Sequence, residues 1–177
     1  TVVIDTRNDY EVAIGTFRTA IDPGTRSFTE FPAWVASSSI DRDTPIAMFC
    51  TGGIRCEKAT AYLASQGFTN LFQLEGGILA YLERTEPAAS QWDGECYVFD
   101  RRVSVGHGLT PGTSEVCPNC NRVVHDDERL HLEYKRGVTC GSCHDTITPD
   151  RAARFAERQK QIDLAAERGT VHLGRPT

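Results

Sequence analysis

The stretch Ile46-Ala47-Met48-Phe49-Cys50-Thr51-Gly52-Gly53-Ile54-Arg55-Cys56-Glu57-Lys58-Ala59 decides how this chain folds. Four apolar residues predict a short buried strand, and the pattern from Glu57 to Gln66 predicts a helix stopped by Gly67. Cys50 therefore falls at the carboxyl end of a strand, on a glycine-bearing loop, just before a helix N-terminus. That is where an α/β sheet presents its reactive groups. Unpaired backbone N–H groups and the helix dipole favour an anion there, in this case a thiolate or persulfide. Gly52 and Gly53 let the loop Thr51-Gly52-Gly53-Ile54 aim N–H groups at the sulfur, and Arg55 adds a fixed positive charge.

Working outward, Thr1-Ile4 and Leu71-Leu74 read as further strands, Asp9-Gly15 as a helical turn, and Phe28-Ala36 and Ile78-Arg84 as helices. Strands alternating with helices predict an α/β fold with a doubly wound parallel sheet. Pro87-Ser90 reads as a linker. Cys96-Val105 reads as a strand packing back on the first domain, interrupted by Asp100-Arg101-Arg102.

A phosphate-binding phosphatase loop places five residues between Cys and Arg, whereas four separate Cys50 from Arg55. The shorter cradle suits a single sulfur atom. Cys50-x4-Arg55 resembles the active loop of the rhodanese family, and other landmarks agree. Val2-Val3-Ile4-Asp5-Thr6-Arg7 is similar to that family's strand ending in Asp-x-Arg. Tyr10-Glu11 with Gly15 and Ala20, and Leu74-Glu75-Gly76-Gly77-Ile78-Leu79-Ala80-Tyr81, match later segments. Gly15-Thr16-Phe17-Arg18-Thr19-Ala20 departs mildly from the family's commoner Gly-His-Ile-x-Gly-Ala. The resemblance spans Thr1 to about Thr85 and implies a rhodanese-like catalytic domain over 1–86. There Cys50 is the nucleophile, Arg55 its charge partner, and Asp5 and Arg7 brace the loop. Cys56 would either resolve a persulfide or sulfenate on Cys50 or simply pack where rhodaneses commonly carry serine.

Cys50 to Ala59, with a cysteine-rich segment downstream, narrows the resemblance to the bacterial tRNA uridine hydroxylases, which carry a central rhodanese-like domain. It implies tRNA as partner, dioxygen as co-substrate and 5-hydroxyuridine at the wobble position as product. It also implies an N-terminal domain that this chain, opening inside a strand at Thr1, lacks. The alternatives are a sulfurtransferase fed by a small-molecule sulfur donor, and a non-catalytic binding module.

Downstream, 87–116 is a linker and a strand, and 117–147 contains Cys117-Pro118-Asn119-Cys120 and Cys140-Gly141-Ser142-Cys143. Two Cys-x2-Cys turns supply four thiolates for a structural zinc ion, with no coordination site left for catalysis. Free or redox-active pairs are the alternative. His125, His131 and His144 lie nearby, and only His144, beside Cys143, has a position from which to replace a ligand. Cys96 has no partner in sequence and reads as buried and structural. Thr148 as N-cap and Pro149 at the first position predict a last helix to about Arg168, stopped by Gly169, within a final segment 148–177.

The net charge of −5 excludes a generally basic nucleic-acid binder. Residues 1–86 carry −4, 87–147 carry −3 and 148–177 carry +2. Contacts to tRNA would use local arginines, such as Arg151, Arg154 and Arg158 on one face of the last helix. That face equally suits plain solvation. Seven cysteines, an odd number, fit metal and catalytic thiols in a reducing cytoplasm better than a disulfide framework. No apolar run is long enough to span a membrane, and no flavin, nicotinamide or haem signature is present.

Overall fold

The structure, a computed structural model, describes residues 1–170. The expected tail to Thr177 lies partly outside the described residues. The chain divides into two compact units, Thr1–Gly112 and Thr113–Thr177.

The first unit begins with β1 (Val2–Asp5), α1 (Asp9–Val12), β2 (Gly15–Phe17) and β3 (Ala20–Ile21). It continues through α2 (Phe31–Ser37), β4 (Ile46–Phe49), α3 (Ile54–Ser65), β5 (Leu71–Gln73) and α4 (Gly77–Arg84). Strands β3, β1, β4 and β5 lie side by side in that order, all parallel, with Asp5 opposite Phe49 at the carboxyl edge. The predicted parallel α/β sheet is thus borne out. Because β4 is central, its carboxyl end opens at the middle of the sheet, where Cys50 follows.

Side chains alternate across the sheet and feed two cores. Ile4, Ile46 and Met48 meet Phe31 and Val35 of α2 and Ala59 and Leu63 of α3 on one face. Phe49 meets Ile78 and Leu82 of α4, with Trp92, Cys96, Val98 and Val105, on the other. Each fully buried Leu, Ile or Phe side chain contributes about 1.5–3 kcal/mol. These contacts rather than helix propensity therefore hold α3, and with it the Cys50 loop, in place.

Two features differ from the sequence reading. Asp9-Gly15 is not one helical turn. The helix ends at Val12, and Gly15–Phe17 forms an antiparallel ladder with β6 (Trp92–Gly94). Cys96-Val105 is not one strand but a short hairpin, β7 (Cys96–Tyr97) against β8 (Ser104–Val105). Asp100 and Arg102 make the turn, the carboxylate accepting both the Arg102 backbone N–H and its guanidinium N–H groups. The charges that interrupt the apolar pattern are the reversal itself.

In the second unit, β9 (Glu115–Val116) pairs antiparallel with β10 (Val123–Val124), and α5 spans Pro149–Glu167. The Thr148 hydroxyl accepts from the Arg151 N–H, and Gly169 ends the helix with φ +66°. Among the described residues, no helix is long and apolar enough to cross a membrane.

Candidate active site and metal centre

Helix α3 begins at Ile54 with Gly53 as N-cap, so its first N–H groups have no intrahelical acceptor. Cys50 fills that role. The N–H groups of Cys56, Arg55 and Gly53 point at its sulfur, the Gly53 N–H at 3.1 Å. Gly53 has φ +97°, which residues with a side chain rarely adopt, and this turn folds the loop back over the thiol. Gly52 shows neither a positive φ nor a close neighbour, so of the expected glycine pair only Gly53 is required by the backbone.

The loop carbonyls point the other way. The Ile78 and Leu79 N–H groups at the start of α4 donate to the Cys50 and Thr51 carbonyls at 3.0 and 3.2 Å. Gly77 packs so closely that a Cβ there would lie 2.6 Å from both carbonyl oxygens. One helix start takes the carbonyls, and the other turns its N–H groups to the sulfur.

Cys56, in the first turn of α3, is fully buried in the same apolar cluster as Cys50. The Thr6 hydroxyl, 3.5 Å from the Cys56 sulfur, donates to the Phe49 carbonyl at 3.0 Å. With that hydroxyl proton committed, the Thr6 oxygen is left to accept from the Cys56 S–H. The hydrogen bond from Cys56, with the loop N–H groups, outweighs burial and brings the Cys50 thiol from its ordinary value of 9 down to about 5. Cys56 shifts the opposite way, raised by the same hydrogen bond, by burial and by the negative charge on Cys50. Cys50 is itself only 2% exposed, whereas Ile54 at the loop crest is 70% exposed.

The Arg55 charge acts on Cys50, and its direct hydrogen-bond partner is a carboxylate. Its guanidinium forks onto Glu11, Nη1 to Oε2 at 2.5 Å and Nη2 to Oε1 at 2.7 Å. Glu11 also accepts from the Asn8 N–H at 3.1 Å and from the Thr51 hydroxyl at 3.4 Å, and is fully buried. Asp5 and Arg7 form a buried two-pronged pair one layer further out. Arg7 donates to the Glu11 and Gly15 carbonyls, and the Thr16 hydroxyl donates to Asp5. This pair therefore reaches the Cys50 loop through Glu11, not by direct contact.

Sequence reasoning missed the roles of Glu11 and Thr6. Asn8-x-x-Glu11 matches a helix-capping box, and that reading accounts for Glu11 without revealing its bond to Arg55. Cys96, read from sequence as buried and structural, is fully buried in the second core, its thiol pushed up to about 12 chiefly by burial and donating to the Tyr97 carbonyl at 3.6 Å. An apolar groove of about 430 Å³ on the second sheet face, lined by Val3, Phe17, Phe49, Phe72 and Tyr81, includes no residue of the loop 50–56.

In the second unit, the sulfurs of Cys117, Cys120, Cys140 and Cys143 all lie within 4.8 Å of one another. Cys117 to Cys143 and Cys120 to Cys140 are 3.6 Å apart, and Cys140 to Cys143 3.7 Å. Zn–S bonds of about 2.3 Å at tetrahedral angles require sulfurs about 3.8 Å apart. The cluster thus has the size and donor set of a structural metal site. His144 does not replace a ligand: its ring Nδ1 meets the Gly141 carbonyl at 2.9 Å and its Nε2 meets Asp145. Arg151 donates to the Asn119 carbonyl inside the first Cys-x2-Cys turn and lies over the Phe155 ring. One arginine of the basic helix face thus has an internal structural role.

Residues 1–84 match the rhodanese-like domain family. Over 176 residues and 98% of its length the chain is 53% identical to a tRNA uridine(34) hydroxylase of Brucella anthropi, covering 58% of that protein. It is 52% identical to a protein of the same name from Agrobacterium fabrum, covering 56% of it, and 55% identical to one from Ruegeria pomeroyi, covering 58%. The chain belongs to this family. It spans somewhat more than half the length of the curated relatives it matches, and the matches run through the thiol site and the cysteine cluster alike.

Proposed function

We propose that the chain is the catalytic part of an enzyme that hydroxylates the wobble uridine of tRNA to 5-hydroxyuridine, using dioxygen and the Cys50 thiolate. The observation that carries the reading is the Cys50 sulfur under the N–H groups of its loop, the Gly53 N–H at 3.1 Å, on a loop pinned by α4. Such a sulfur is nucleophilic and oxidisable at neutral pH. The family's printed name supplies the substrate class and the position modified.

In this reading the reacting atom is Cys50 Sγ. Arg55 and Glu11 hold the second half of the loop, and Thr51 ties its first half to Glu11. Asp5 and Arg7 fix Glu11 from behind, and Ile54 offers an apolar crest beside the thiol for a base to rest on. The four clustered cysteines hold a zinc ion that stabilises the second unit and takes no part in the chemistry. The local arginines and further parts of the longer protein supply contacts to the tRNA phosphates. The setting is the cytoplasm, where tRNA and reducing thiols are found.

The same thiolate fits a sulfane-sulfur carrier, since backbone N–H groups also stabilise a persulfide. The two readings separate in one preparation of the full-length protein. Unmodified tRNA incubated in air gives 5-hydroxyuridine under the first, whereas thiosulfate and cyanide give thiocyanate under the second. Thiocyanate without hydroxyuridine would replace the hydroxylase reading by the sulfurtransferase one.

A further inference from the structure

Cys50 is only 2% exposed, so a uridine that meets its sulfur must leave the base stack, and its neighbours lose a stacking partner. Three aromatic rings run outward from the site. Tyr10 precedes Glu11, the carboxylate that accepts from Arg55 and Thr51. The Tyr10 and Tyr97 rings meet edge to face with centroids 5.3 Å apart, and Tyr97 meets Phe99 in the same way at 5.1 Å. The inner end of the row is anchored twice. Glu11 ties α1 to the loop, and Cys96, next to Tyr97, packs with Phe49 and with Ile78, whose N–H donates to the Cys50 carbonyl. The outer end is open: Phe99 is 69% exposed, at the tip of the β7–β8 hairpin. Turns ordinarily carry small polar residues there.

The tip is held in place. The Val98 N–H donates to the Val103 carbonyl at 2.8 Å, and the Val103 N–H to the Asp100 carbonyl at 3.2 Å. Val103 takes φ +65°, which β-branched residues rarely adopt. Asp100 engages Arg102, whereas Arg101 between them is exposed and has no side-chain partner among the described residues. We propose, resting on the hydroxylase reading above, that Tyr10, Tyr97 and Phe99 are a stacking platform for the anticodon-loop base next to the target uridine, Phe99 taking the base and Arg101 its phosphate. A base taken out of its stack offers a flat π face, and aromatic side chains are what single-stranded RNA recognition sets against it. A chain of net charge −5 gains little from bulk attraction to phosphates, so stacking beside the reactive sulfur carries the contact.

The test uses full-length protein and a synthetic anticodon stem-loop with uridine at the wobble position. Phe99→Ala should raise the Kd about tenfold, and Phe99→Trp, which keeps a ring, should bind as wild type does. Two further stem-loops lack the base before or the base after the wobble uridine. Wild type should lose about tenfold on one of them, and Phe99→Ala should lose nothing further on that one. Arg101→Ala should lower the slope of log affinity against log salt by about one, a slope that Phe99→Ala leaves alone. Wild-type affinity in Phe99→Ala, or an equal loss from Phe99→Ala on all three stem-loops, would overturn the proposal. Wild-type affinity joined to a lower urea midpoint would instead assign Phe99 to a contact with another protein segment. Hydroxyuridine made in tRNA by Phe99→Ala at an unchanged KM overturns the platform and leaves the hydroxylase reading standing. Wild-type protein that makes no hydroxyuridine removes that reading, and the platform with it.

Discussion

Arg55 closes a two-pronged ion pair on Glu11 across forty-four residues of sequence, with oxygen–nitrogen distances of 2.5 and 2.7 Å. The pair ties the loop to α1. Glu11 is fully buried and Arg55 mostly so, with 19% of its side chain exposed. Removing one partner leaves the other charge poorly compensated, at a cost of about 3 kcal/mol. Glu11→Gln should therefore lower unfolding free energy by about that amount in urea titration. Arg55→Lys, which keeps the charge and loses the fork, should be intermediate. A Glu11→Gln protein as stable as wild type would show that the fork contributes nothing.

Ionisation of Cys50 gives a pH signature. Its folded-state value lies below that of a free cysteine, so the thiolate is present at neutral pH and is lost as pH falls through about 5. The rate of Cys50 alkylation by iodoacetamide, read by peptide mass spectrometry, should rise through that region and stay level to neutral pH. Cys56→Ala removes the first cause of the shift, so the midpoint should move up towards 9. An unchanged midpoint would assign the shift to the loop N–H groups alone.

Gly77→Ala tests the brace. The substitution combines φ +65° with a Cβ 2.6 Å from the Cys50 and Thr51 carbonyl oxygens. It should cost about 2–3 kcal/mol. It should also slow Cys50 alkylation, because displaced carbonyls rotate the loop N–H groups off the sulfur.

The four-cysteine cluster predicts one zinc ion per chain in protein purified without chelator. Few large apolar side chains are buried in the second unit, so folding there depends on the metal. Chelation at neutral pH, or Cys140→Ser, should abolish metal binding and expose residues 113–170 to proteolysis, leaving the Cys50 alkylation profile unchanged. Protein without zinc that stays protease-resistant would contradict this account.

The strand, loop and helix around Cys50 were legible because several signals coincide there: an apolar run, a glycine demanded by its φ, and a helix-period pattern ending in Gly67. The four-cysteine cluster was equally legible, since Cys-x2-Cys spacing alone fixes how close two sulfurs can come. The β2–β6 ladder was not legible. Its strands are three residues each, with Asp93 and Gly94 in one of them, and they become strands only through a pairing seventy-odd residues apart. Glu11 was hidden for a related reason: a capping glutamate and a buried ion-pair glutamate look alike until the chain brings Arg55 to it. The contact of Cys56 with the Thr6 hydroxyl, fifty residues away in sequence, is one that no spacing rule encodes.

The most direct test of the central claim is nucleoside mass spectrometry of tRNA from cells lacking the gene and complemented with full-length protein, wild type or Cys50→Ala. The account requires 5-hydroxyuridine with wild type and none with Cys50→Ala, both proteins being present at equal levels. Hydroxyuridine restored equally by Cys50→Ala would contradict it, since the thiolate around which the site is built would then have no part in the reaction.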